Sequence, residues 1–256
     1  MTTNDTRLRR IVADLRSAFG LLTRLPLPGG QTVPRGATSA WAWPLVGAGV
    51  GALAALAATL ALALGLTAGV AAALVLAVQA MVTGAMHEDG LADSADGLWG
   101  GWDKARRLEI MHDSRIGSYG VLALMLACLA RWSALAVLLT AGPHWAVLIA
   151  VGALSRVPMV VIAAALPNAR GTGLSQAVGR PDGATAGLAL ALGLALALVL
   201  VGAAPALAMA TLAALACCGL VVVAWHRIGG QTGDILGASQ QLAEVAALAV
   251  AAAALA

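Results

Sequence analysis

Seven of the twelve acidic residues in this 256-residue chain fall between positions 88 and 113: Glu88, Asp89, Asp93, Asp96, Asp103, Glu109 and Asp113. In His87-Glu-Asp-Gly-Leu-Ala-Asp-Ser-Ala-Asp-Gly97, Asp89, Asp93 and Asp96 stand at i, i+4 and i+7, so a helix here carries three carboxylates on one face. Unpaired, those charges repel. A divalent cation removes the repulsion, and carboxylate oxygens are the donors that Mg2+ takes, with substrate phosphates and water completing its octahedron. The expected ion is Mg2+, held by Asp89, Asp93 and Asp96; a solvated acidic loop is the plainer alternative. His87 titrates near neutrality as a free side chain and so suits a general base for a hydroxyl nucleophile, with metal ligation or a simple interfacial role as the other readings.

The sign of the charge reverses directly afterwards, at Lys104, Arg106, Arg107 and Arg115. Arginine forks grip phosphate oxygens in pairs, which makes Arg106 and Arg115 the expected substrate contacts and leaves Lys104 and Arg107 as ordinary topology signals. Metal beside arginine points to phosphoryl transfer, a reaction that needs positioning and charge neutralisation more than a covalent nucleophile. A second loop, Gly229-Gly-Gln-Thr-Gly-Asp234, opens straight into an apolar run. Backbone amides around Gly229, Gly230 and Thr232 at such a helix start could cradle a phosphate, while Asp234 could cap the helix, ligate the metal, or do both. Arg131 and Arg156 stand inside apolar runs, where each costs at least ~2.5 kcal/mol against lipid. They are expected to line an internal polar cavity, with snorkelling to an interface as the competing explanation.

These residues need elements to position them, and composition says which. The chain is 61% hydrophobic and 11% charged, against about 25% charged in a soluble domain. That excludes soluble, disordered and collagen-like classes. Apolar runs near residues 41–66, 70–86, 119–141, 145–166, 184–203, 206–225 and 235–256 are long enough to cross a hydrocarbon layer of roughly 30 Å as helices. The predicted fold is all-α: a polytopic membrane bundle of six or seven transmembrane helices forming a single domain over 1–256. Gln240, Gln241 and Glu244 interrupt the last run, which is therefore either an inward-facing span or a shorter re-entrant piece. Residues 1–40 carry Arg7, Arg9, Arg10, Arg16, Arg24 and Arg35, with Leu8, Ile11, Val12, Leu15 and Phe19 at helical spacing. This segment reads as a cytoplasmic, interfacial amphipathic helix. With the N-terminus inside, the polar connections 87–118, 167–183 and 226–234 all return to the cytoplasmic side. Trp41, Trp43, Trp145 and Trp225 near span ends read as an interfacial belt. The lipid bilayer is the expected partner, nucleic acid is not, and a homo-oligomer stays open.

Four blocks resemble the cobalamin synthase family, adenosylcobinamide-GDP ribazoletransferase: Leu22-Thr-Arg-Leu-Pro-Leu-Pro28, the segment Thr83 to Leu98, Arg107-Leu-Glu-Ile-Met-His-Asp-Ser-Arg-Ile-Gly117, and Gly229 to Ala238. They run in family order over nearly the whole chain. The resemblance implies a magnesium-dependent enzyme of the bacterial inner membrane, in which a ribose hydroxyl of α-ribazole, or of its 5′-phosphate, displaces GMP from adenosylcobinamide-GDP. It also assigns Asp89, Asp93 and Asp96 to an acidic motif, Asp113 and Arg115 to a second block, Arg156 to a Ser-Arg pair, and Asp234 to the glycine loop. On that likeness Asp113 joins the metal ligands and Arg156 the substrate-binding residues. Two positions depart from the family pattern: Glu88 stands where an apolar residue is frequent, and Gln241 stands where the first acid of a Glu-x-x-Glu pair is frequent, leaving Glu244. The alternatives are a CDP-alcohol phosphatidyltransferase-like enzyme, whose signature Asp93-x-x-Asp96-Gly97 begins but does not continue, and an anion transporter using the intramembrane arginines.

Overall fold

The computed structural model describes residues 3–27, 35–142 and 144–255. In chain order the helices are α1 (Thr3–Leu22), a 3-10 turn (Gly36–Ala42) leading into α2 (Trp43–Ala63), α3 (Ala68–Thr83), α4 (Met86–Gly100), α5 (Lys104–Ile110), α6 (Ser118–Ala141), α7 (His144–Ala165), α8 (Leu174–Val178), α9 (Gly183–Val201), α10 (Ala203–Ile228) and α11 (Gly233–Leu255). Among the described residues no strand forms; a lone bridge joins Asn168 and Gln231. Among the described residues six helical stretches are long and apolar enough to cross a membrane, Gly36–Ala63, Ser118–Ala141, His144–Ala165, Gly183–Val201, Ala203–Ile228 and Gly233–Ala254, and the bent pair Ala68–Thr83 and Met86–Gly100 makes a seventh if taken as one span. The all-α polytopic bundle is what the runs of Ala, Leu and Val dictate, since only helices satisfy their own backbone in hydrocarbon.

Two spans are buried almost throughout and form the axis of the bundle. Helix α7 packs between α2, α9 and α11, and α11 touches α4, α6, α7 and α10. The outer helices keep leucine and valine exposed, for example Leu122 and Leu126 on α6 and Leu215 and Val222 on α10, as a lipid-facing surface requires. Helix α11 is continuous, so Gln240, Gln241 and Glu244 do not break it; they turn into the protein and are buried.

The predicted run 70–86 ends early. Gly84 and Ala85 both adopt left-handed backbone, with φ of 68° and 55°, and they turn the chain by 90° from α3 into α4. Glycine takes that conformation without strain, while an alanine there is uncommon. The acidic stretch within 87–118 is thus no loop: it is helix α4, set at 90° to α3, followed by the short helix α5. Gly90 of α4 meets α11 so closely that a Cβ on it would sit 2.8 Å from the Asp234 carbonyl oxygen, and Gly237 faces Gly90 in return. Backbone contact of that kind brings the acids of α4 beside Asp234.

Helix α1 leaves Leu8, Ile11 and Val12 exposed and buries Ala18 and Leu22 against the bundle. Asp14 pins it by pairing with Arg35 and accepting from the Trp41 indole at 3.1 Å. The aromatic belt is smaller than expected. Trp145 and Trp225 are exposed, but Trp41 is tied to Asp14 and Trp43 is buried at 3% exposure, because both lie where α1 packs on the start of α2. Pro28 of the first block lies outside the described residues.

Candidate active site at one end of the bundle

The three polar connections meet at one end. The loop before α11 is stitched to the loop after α7 by backbone hydrogen bonds, Ala169 N to the Gln231 oxygen at 2.8 Å and Gln231 N to the Pro167 oxygen at 2.9 Å. That stitching sets Arg170 beside α11, where its Nη2 donates to Asp234 Oδ2 at 2.9 Å. Across from this pair stands α4. Asp89, Asp93, Asp113, Arg115, Arg170 and Asp234 line one polar recess. Asp89, Arg170 and Asp234 also form the rim of a second, mostly apolar recess that contains His87.

The polar recess carries crowded negative charge. Burial pushes the half-buried Asp93 carboxyl up to about 7, aided by Asp89, Asp234 and Asp96 and opposed by Arg170. Asp113 behaves oppositely: hydrogen bonds from Arg115 hold its carboxyl below the ordinary range. Its Oδ2 accepts from Arg115 Nη2 at 2.7 Å, and the pair sits at the open side of the recess. Oxygen donors with surplus negative charge fit Mg2+. Among the described residues no three His, Cys, Asp or Glu side chains already converge to cage an ion. Magnesium asks for less than a cage, since it keeps waters and uses one or two carboxylates plus substrate phosphates.

Other expected site residues stand elsewhere. Asp96 shares the helical face of Asp89 and Asp93, about two turns beyond Asp89 and one beyond Asp93, where it caps α6 by accepting from Gly117 N at 2.7 Å and Gly120 N at 2.9 Å. A carboxylate at a helix N-terminus is at home there. A Cβ on either glycine would come within 2.4 Å of that carboxylate. Arg106 does not line the recess; helix α5 points it to Glu109 at 2.8 Å and over the Trp102 ring. The glycine loop makes turns where the sequence suggests a phosphate cradle. Gly229 is the left-handed cap of α10, Gly230 presses against the Pro167 oxygen, and Thr232 is buried, accepting from Ile235 N and donating to Asp234. Sequence reading missed Arg170, which looks like one more positive charge in a polar connection until the Asn168–Gln231 bridge shows where that connection lies.

Arg156 is 2% exposed and lies in the core between the spans. Its Nη1 donates to Ser155 Oγ at 2.9 Å and reaches Glu244 Oε2 at 3.5 Å. Arg131, equally buried, binds Glu244 Oε1 at 2.9 Å, Gln241 Oε1 at 2.8 Å, Gln79 Oε1 at 3.0 Å and Glu88 Oε1 at 3.2 Å. Two arginines face two glutamates, so the cluster is neutral. The expected cavity is filled by the protein's own acids, because a buried guanidinium is tolerable only when paired. The two departures from the family pattern touch: Gln241 Nε2 donates to Glu88 Oε1 at 3.0 Å. Glu88 supplies Arg131 with a carboxylate where Gln241 supplies only an amide oxygen. Accordingly Glu88→Leu should lower the melting temperature in detergent by several degrees, and adding Gln241→Glu should restore most of it; a double variant no better than the single would break that compensation.

The chain matches the family described as Cobalamin-5-phosphate synthase over residues 14–252. It is 45% identical over 251 residues to the adenosylcobinamide-GDP ribazoletransferase of Bradyrhizobium diazoefficiens, covering 96% of this chain and 95% of the relative. It is 42% identical to the protein of that name from Mesorhizobium japonicum (96% and 95% covered) and 40% identical to that of Brucella ovis (93% and 95%). No solved structure matches.

Proposed function

This chain belongs to the cobalamin-5-phosphate synthase family, and on that footing we propose that it joins adenosylcobinamide-GDP to α-ribazole, or to its 5′-phosphate, with release of GMP. Membership in that family displaces the phosphatidyltransferase and transporter readings. The observation that carries the chemistry is the recess itself, where acids and arginines from four separate parts of the chain face one another. Arg115 and Arg170 bind the diphosphate oxygens as planar forks. One or two of Asp89, Asp93 and Asp234, with substrate phosphates and water, would hold Mg2+, which when bound offsets the charge developing on the leaving phosphate. A ribose hydroxyl attacks the phosphorus that carries the cobinamide; a new P–O bond forms as the bond to GMP breaks in line. His87, the expected general base, lines the apolar recess together with Asp89; the hydroxyl proton passes to water at the open side of the polar recess. The arginine-rich start of the chain supports an inner-membrane protein with this end of the bundle in the cytoplasm.

Purified protein in detergent, given adenosylcobinamide-GDP, α-ribazole and Mg2+, should release GMP in step with a corrinoid bearing the ribazole base, and EDTA should stop it. GMP release undiminished by EDTA would remove the metal from this account.

A further inference from the structure

Both arginines of the polar recess are held by carboxylates of the same recess. Arg115 Nη2 donates to Asp113 Oδ2 at 2.7 Å, and Arg170 Nη2 donates to Asp234 Oδ2 at 2.9 Å. The two pairs differ in setting. Arg115 stands two residues from its partner with its side chain 88% exposed, so water weakens that contact. Arg170 and Asp234 come from separate connections, and their side chains are only 17% and 19% exposed. The main chain on either side of this second pair is pinned. Asn168 Oδ1 accepts from Arg170 N at 3.0 Å and from Gly171 N at 2.7 Å, while Thr232 Oγ1 accepts from Ile235 N and donates to Asp234 Oδ2 at 3.1 Å. The guanidinium therefore pivots from a fixed base beside a fixed acid.

Asp234 is one of three carboxylates placed to take Mg2+, and Arg170 is one of two forks placed to take the diphosphate. One ion pair thus ties a metal donor to a phosphate donor. A carboxylate already neutralised by a guanidinium attracts a divalent cation less, and the guanidinium itself repels that cation at short range. Diphosphate alters the balance, because its oxygens accept the same planar fork and carry more charge than a carboxylate does. We propose that Arg170 couples the two ligands: paired with Asp234 it holds Mg2+ affinity down, and it yields Asp234 to the metal when diphosphate takes its fork. By linkage each ligand then tightens the other by the same factor. This coupling rests on the function proposed above and adds an order to it, in which metal settles with the diphosphate and not ahead of it.

The test uses the full chain in detergent. Mg2+ alone is titrated without substrate, and its midpoint is read from the rise in melting temperature. Arg170→Gln should bind Mg2+ roughly 10-fold more tightly than the wild type, the scale of one charge-assisted contact given up, while its KM for adenosylcobinamide-GDP rises. Arg170→Lys keeps the charge and loses the fork; it should retain the wild-type Mg2+ midpoint within about twofold and still raise the KM. Opposite shifts in one variant separate coupling from a plain structural tie, whose loss weakens both ligands. Asp234→Asn supplies an arm that leaves Arg170 in place: in EDTA it should bind inorganic pyrophosphate more tightly than the wild type, by calorimetry. An Mg2+ midpoint unchanged or weakened in Arg170→Gln, a lysine variant as tight for Mg2+ as the glutamine one, or no gain for pyrophosphate in Asp234→Asn would each overturn the coupling. The Mg2+ and pyrophosphate arms need no turnover, so a wild type that releases no GMP counts against the proposed reaction and leaves these two arms to decide the coupling.

Discussion

Asp93→Asn should lower Mg2+-dependent GMP release by roughly 10²–10³-fold, the scale of removing one preorganised charge-stabilising contact from a transferring phosphoryl group. The substitution keeps the shape of the side chain and deletes its charge. Its effect on stability should have the opposite sign. Asp93 is half-buried among Asp89, Asp234 and Asp96, and that surrounding raises its carboxyl to about 7. In metal-free protein at pH 8 the carboxylate is ionised against its neighbours' field, and asparagine relieves the repulsion. The variant should therefore melt no lower than the wild type without metal, yet gain less when Mg2+ is added, because binding to the native state is what stabilises it. Near-normal turnover in Asp93→Asn would remove the carboxylate from the chemistry, and a collapse in stability would recast it as structural.

Glu244→Gln should have the largest effect on folding. Glu244 is 1% exposed and accepts from Arg131, Arg156, Gln79 and Gln240 at once. Glutamine fills the same space but leaves two buried arginines facing Glu88 alone. Breaking one partner out of a buried ion cluster costs about 3–5 kcal/mol, a large share of the ~5–15 kcal/mol that holds a typical domain together. The expected outcome is a steep loss of monodisperse protein after extraction, read by size-exclusion chromatography. Restoring neutrality with Arg156→Met in the same chain should recover much of the yield. A single variant that purifies like wild type would show that the charges are solvated, contrary to their burial.

How much of this was legible in the sequence differs by kind of information. Hydropathy found the spans, because a helix in lipid must be apolar over its whole length. The i, i+4, i+7 spacing placed Asp89, Asp93 and Asp96 on one face, yet spacing cannot say what stands opposite each turn of that face. Asp96 met the start of α6 and became a cap; Asp89 and Asp93 met α11. Arg131 and Arg156 were correctly turned inward by their cost in lipid, but their partner Glu244 lies 113 and 88 positions away and nothing local points to it. The place of Arg170 at the site and the burial of Trp43 were hidden for a related reason: a charge in a polar connection and a tryptophan at a span end both have ordinary explanations, which only packing can remove.

The arginine in α7 also sets a constraint on how the chain is made. Among the described residues Glu244 is the one carboxylate paired with Arg156, and it is translated 88 residues later. At the ~5–20 residues per second of chain synthesis, α7 waits several seconds before the carboxylate that pairs with its cation is made. During that interval its place among acyl chains carries a penalty of about 2.5–3.5 kcal/mol. Helix α11 acts as the keystone whose arrival brings the missing carboxylate to both buried arginines.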